Sequence, residues 1–85
     1  MNKRLTLVQQ ELDRQSLLYG TQMHDPNFWY VILGEEVGEV ARAIYDMKSK
    51  KVGSVANYRD ELIQVAAVAV AMLESFERQH GNITE

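Results

Sequence analysis

The chain has no cysteine, which excludes disulfides and thiolate metal sites alike. It has a single proline, Pro26, and few glycines, so its breaks in regular structure are sparse and marked. No apolar run approaches the ~20 residues that a membrane span needs. The longest, LIQVAAVAVAML (62–73), is flanked by Asp60, Glu61 and Glu74. The segment MNKRLTLVQQELDRQ is basic and then polar, without the apolar stretch of a secretory signal. A basic excess is also missing. Nine Lys and Arg against twelve Asp and Glu leave a net charge of −3, with no electrostatic footprint for nucleic acid or an anionic membrane. The expectation is a cytoplasmic protein that binds neither, and that needs a metal ion as go-between to act on a polyanion.

What is present is helical. Eighty-five residues make one domain, 1–85, which buries only a little over ~60% of its unfolded surface. Leu5, Val8, Leu12 and Gln15 recur at helical spacing, predicting an amphipathic helix over 3–18 that ends near Gly20. Asp25 then Pro26 combine a carboxylate cap with a first-turn proline and start a second helix over 26–47. The lysines of KSKKVGS (48–54), followed by Gly53, stop it. Ser54 or Asn57 is expected to cap a third helix ending before Gly81. From Leu62 to Leu73 that helix is apolar on every side except at Gln64, and a helix apolar all round is buried all round. Three helices of this length cannot surround it. The pattern predicts an all-α bundle of about three helices completed by oligomerisation, the alternative being a monomer with a loose core.

Carboxylates interrupt the apolar pattern. Helix neighbours lie three and four positions apart, so Glu36 is surrounded by Ile32, Leu33, Glu39 and Val40, with Trp29 and Ala43 one turn further out. An ionised carboxylate inside such an arc is costly unless paired or metal-bound. Glu39 lies at the arc's edge, where Arg42 could pair with it, and Glu35 points toward the polar side. Asn57, Glu61 and Gln64 draw a second polar stripe on the third helix. One ExxE alone is ordinarily a solvated face. Two helices that each turn polar groups inward can instead close on a hard divalent cation. Oxygen-only donors favour Mg²⁺ or Mn²⁺ over zinc. His24 and His80 are wrongly placed for the Glu-x-x-His of di-iron bundles.

These residues resemble a known family. GEEVGEVARAI (34–44) followed by RDELIQVAAVAVAMLE (59–74) is similar to the MazG-like branch of the all-α nucleoside triphosphate pyrophosphohydrolases, over roughly residues 9–77. The family pattern is EExxE, a spacer, then ExxD; here it is Glu35, Glu36 and Glu39, then Glu61. QMHDPNFWYVILGEEVGEV (22–40) also resembles the dCTP pyrophosphatases of that superfamily, in which a histidine before the first motif lines the nucleotide pocket. His24 occupies that place. The resemblance implies hydrolysis of a nucleoside triphosphate to monophosphate and pyrophosphate, by homodimers or homotetramers that hold Mg²⁺ on the motif carboxylates. Glu36, Glu39 and Glu61 are the expected ligands, Gln64 stands at the fourth position, and Glu35 is the candidate to accept the attacking water's proton. Trp29 reads either as core or as a stacking surface for a base. Lys48 reads either as a partner of the helix dipole or as a phosphate contact. One departure stands out: Gln64 replaces the motif's final aspartate, so a neutral amide replaces an anionic ligand, which Asp60, one turn earlier, could offset. That departure keeps open a second expectation, a catalytically weak relative that binds nucleotide or metal without efficient turnover.

Overall fold

Residues 2–81 are described by the computed structural model, and all regular structure among them is helical: α1 (Lys3–Tyr19), α2 (Pro26–Lys48) and α3 (Ser54–His80). Local chemistry sets the ends. Asn2 caps α1 by accepting the Arg4 N–H at 2.8 Å. Gly20 stops it at φ 68°, ψ −161°, a region essentially confined to glycine. Asp25 caps α2 through the Phe28 N–H at 2.9 Å, with Pro26 in the first turn, as the residue order predicts.

The α2–α3 connection differs from expectation. Its lysines do end α2, but Lys50 itself takes the left-handed conformation (φ 57°) and Gly53 (φ 81°) becomes the N-cap of α3. Neither Ser54 nor Asn57 caps that helix, and no side chain does. Ser54 is its buried first residue, and Asn57 already donates its backbone N–H to the Gly53 carbonyl at 3.0 Å. With two left-handed residues, the chain reverses tightly enough for α3 to pack back onto α2.

α3 is the spine. It packs against both α1 and α2, which do not pack on each other among the described residues. Its buried residues Ala67, Val68 and Ser75, with half-buried Ala71 between them, form one stripe. Leu12 of α1 and Trp29 and Ala43 of α2 are the buried apolar residues of the other helices. The burial on every side expected of α3 is therefore not met within one chain: Leu62, Val70 and Leu73 stay exposed, as do Val31, Val37 and Ile44 of α2. The radius of gyration is 14.5 Å, against about 12 Å for a compact chain of this length. The accessible surface is 6480 Å², against about 5,100 Å² for a monomer of this mass. No described helix is long and apolar enough to cross a membrane.

Candidate functional site

The buried side of α2 carries the first carboxylate. Trp29, Ile32, Leu33, Glu36, Val40 and Ala43 fall on one stripe, and Glu36 is half-buried within it, while Glu35 and Glu39 are exposed. Glu61 of α3 is half-buried too. Burial, and then the negative charges of Glu61, Glu39, Glu35 and Glu11, push the Glu36 carboxyl above its ordinary value. Burial, followed by Glu39 and Asp60, raises Glu61 in the same way. Glu36, Glu39 and Glu61 thus share one repulsive neighbourhood between α2 and α3. Their oxygen chemistry and mutual repulsion suit a hard dication. Even so, no three His, Asp or Glu among the described residues stand at spacings that would hold a metal ion.

The fourth position is engaged elsewhere. Gln64 Oε1 accepts from Gln15 Nε2 at 3.1 Å, and Gln64 Nε2 donates to Glu11 Oε2 at 2.8 Å. Glu11 also accepts from Gln15 Nε2 at 3.0 Å and from Arg14 Nε and Nη2 at 2.9 and 2.7 Å. These bonds, Arg14's first, hold the Glu11 carboxyl below its ordinary value although burial opposes them, with Gln64 and Gln15 adding to the effect. Glu11 and Arg14 carry no motif. The signal that could have found them is a pairing of anomalies: Gln15 ends the apolar seam of α1, Gln64 interrupts the apolar α3, and each half-buried amide needs a partner. Asp60 does not replace the missing carboxylate; it is exposed and pairs with Arg59 at 3.2 Å. Arg42 pairs with Asp46 at 3.6 Å and not with Glu39.

A cleft of about 520 Å³ opens between α1 and α2, with α3 behind it. Arg14 and Tyr19 line it from α1, His24 from the connection, Trp29 and Glu36 from α2, and Gln64 from α3. The His24 ring lies 4.8 Å from Phe28 and 4.9 Å from Trp29, and its Nε2 is 3.1 Å from Gln22 Oε1. Arg78 near the end of α3 ties this connection down, donating to the Gln22 carbonyl at 2.9 Å. Trp29 is 5% exposed, and its indole N–H finds no acceptor among the described residues. Of the residues singled out in the sequence, His24, Trp29, Glu36 and Gln64 meet in this cleft. Glu35, Glu39 and Glu61 do not line it, and Lys48 stands apart, exposed in the last turn of α2.

The raised carboxyls make stability depend on pH. The folded chain holds protons on Glu36 and Glu61 more tightly than the unfolded chain does. Stability therefore falls as pH rises from the ordinary value of 4.5 through the raised ones. In metal-free protein Glu36→Gln should flatten that fall and add roughly 0.5 kcal/mol at neutral pH, the scale of partly exposed charge pairs. Urea titrations across that pH range measure it. A variant no more stable than wild type at neutral pH would show that Glu36 feels no such repulsion.

No family model, no curated protein and no solved structure matches the chain.

Proposed function

We propose that this chain is a MazG-like hydrolase that cuts a nucleoside triphosphate into monophosphate and pyrophosphate with the help of Mg²⁺. The observation that carries the reading is Glu36, a carboxylate set into the buried stripe of α2 and into the same cleft as His24 and Trp29. A half-buried acid in a cleft shared with His24 and Trp29, with Glu61 and Glu39 close enough to repel it, is poor design for stability and a reasonable one for a cation-bridged nucleotide.

Glu36, Glu39 and Glu61 would hold the Mg²⁺, with Mn²⁺ as an alternative, only once drawn closer together than they stand in this chain alone. When bound, the ion would offset phosphate charge and polarise the reacting phosphorus. His24 offers the base a half-buried ring at the cleft, backed by the buried Trp29. Glu35, exposed beside Glu36, is free to accept the water's proton. We assign Lys48 to the dipole at the C-terminus of α2, since it stands away from the cleft. A homodimer or homotetramer completes the arrangement. The exposed Val37, Leu62, Val70 and Leu73 and the excess surface support a second copy packed on α2 and α3.

A second reading has its own observation. Position 64 is a glutamine whose amide faces α1, so the chain has one anionic donor fewer than the MazG-like motif. This favours a relative that binds nucleotide with little turnover.

A screen of standard and modified nucleoside triphosphates with Mg²⁺ or Mn²⁺, scored for pyrophosphate and monophosphate, separates the two. Metal-dependent pyrophosphate release is the expected result. Nucleotide binding without it establishes the second reading, and neither binding nor release overturns both. Light scattering at micromolar concentration should show at least a dimer; a fully active 9.7 kDa monomer would remove the second copy from the site.

A further inference from the structure

We propose that Gln64, Glu11 and Arg14 form a positioning relay across the α1–α3 seam, which holds Arg14 at the cleft as the group that binds the substrate's phosphate tail. The identity of the ligand as a polyphosphate rests on the hydrolase reading; the relay itself rests on geometry.

Arg14 is the only Lys or Arg lining the cleft that Glu36, His24 and Trp29 share. Its guanidinium carries five N–H donors in a rigid plane. Two of them go to Glu11 in a two-pronged contact at 2.9 and 2.7 Å, and the others have no acceptor among the described residues. The contact fixes the plane of the fork and leaves its other edge uncommitted, on a side chain that is 54% exposed. An arginine so arranged offers an anion directed donors at little ordering cost.

Glu11 can hold Arg14 only because it is itself held. Its side chain is 12% exposed, and it accepts from Gln64 across 53 residues of chain, fastening the pair to the spine of the fold. Position 64 needs an amide for this. Gln64 donates to Glu11 and at the same moment accepts from Gln15. A carboxylate there could still accept from Gln15 but could not donate to Glu11, and would set a second negative charge against it. The residue that departs from the family pattern is thus the one the relay requires: position 64 gives up a metal ligand and gains a bracket for Arg14.

The test uses tripolyphosphate with Mg²⁺ as the probe, read by calorimetry and by the fluorescence of Trp29, the chain's only tryptophan and a wall of the cleft. Arg14→Ala should weaken binding by about tenfold or more, the scale of lost hydrogen bonds between charged groups. Arg14→Lys should recover part of the loss, since it returns the charge without the fork. Gln64→Asp should weaken the probe as Arg14→Ala does. In turnover, Arg14→Ala should raise KM by a similar factor while kcat stays near wild type, a split that a merely structural role would not produce.

Unchanged tripolyphosphate affinity in Arg14→Ala overturns the relay, as does a wild type that does not bind the probe. Tighter metal and probe binding in Gln64→Asp overturns it too and returns position 64 to the metal. Arg14 is exposed, so its variants decide the matter even where Gln64→Asp does not fold. If Arg14-dependent probe binding is found without pyrophosphate release, the relay stands and the hydrolase reading fails. Pyrophosphate release with an unmoved KM in Arg14→Ala is the converse.

Discussion

On the proposed hydrolase reading, replacing Glu36 or Glu61 with glutamine should cut metal-dependent pyrophosphate release by at least about a hundredfold, since even residues that only support metal ligands cost 10–100-fold. The substitution keeps the side chain's shape, removes one charge and turns one acceptor oxygen into an N–H donor. In metal-free protein that charge is a liability, because burial and neighbouring carboxylates push both groups up. The same variants should therefore gain stability while losing activity. A second measurement closes the argument. Mg²⁺ at a hundred times its Kd should stabilise the wild type by about 2.7 kcal/mol, as any ligand of the folded state alone does. Glu36→Gln should lose most of that rise. An unchanged metal response together with retained turnover in both variants would show that these carboxylates do not hold the metal.

Trp29→Ala should leave the chain largely unfolded. Trp29 is the largest of the few buried apolar side chains and sits where α2 meets the rest of the fold. Removing a buried aromatic costs about 3–5 kcal/mol, and the few buried side chains place the chain near the low end of the about 4–13 kcal/mol expected for its length. Far-UV circular dichroism should show most of the helix signal gone at room temperature. Trp29→Phe is the informative partner, because it keeps a ring and deletes an indole N–H that has no acceptor among the described residues. It should remain folded. A cooperative melt in Trp29→Ala, less than about 1 kcal/mol below wild type, would mean the core does not depend on this residue.

The features that could be read ahead of the structure were those set by near neighbours in the chain. Asp25 and Pro26 mark the start of α2 because a cap and its N–H partner lie three residues apart. Glu36 stands out because helical spacing alone surrounds it with apolar residues. Choices made by the rest of the fold were not legible. Whether Lys50 or Gly53 is left-handed depends on where α3 must run, and both turn out to be. Arg42 turns to Asp46 and not to Glu39 because Asp46, with 14% of its side chain exposed, is the more desolvated carboxylate. The partners of Gln64 were hidden for the same reason. Periodicity shows that an amide interrupts an apolar helix, but not that Glu11 and Gln15 face it from another one. That information lies in the α1–α3 register, which no local spacing contains.

Two helices that, among the described residues, pack only on the third also impose a timetable. Synthesis delivers α1 and α2 before any of α3, at about 5–20 residues per second. For roughly one to a few seconds on that estimate, neither early helix has a surface to dock on. Leu12 and Trp29 wait in water, and Gln15 waits for an amide 49 residues downstream. Helices in proteins owe most of their stability to packing of their apolar face, so little durable forms until the stretch around Gln64 to Ser75 emerges. Both seams then close onto one newly made helix. Every interhelical seam among the described residues thus waits for α3.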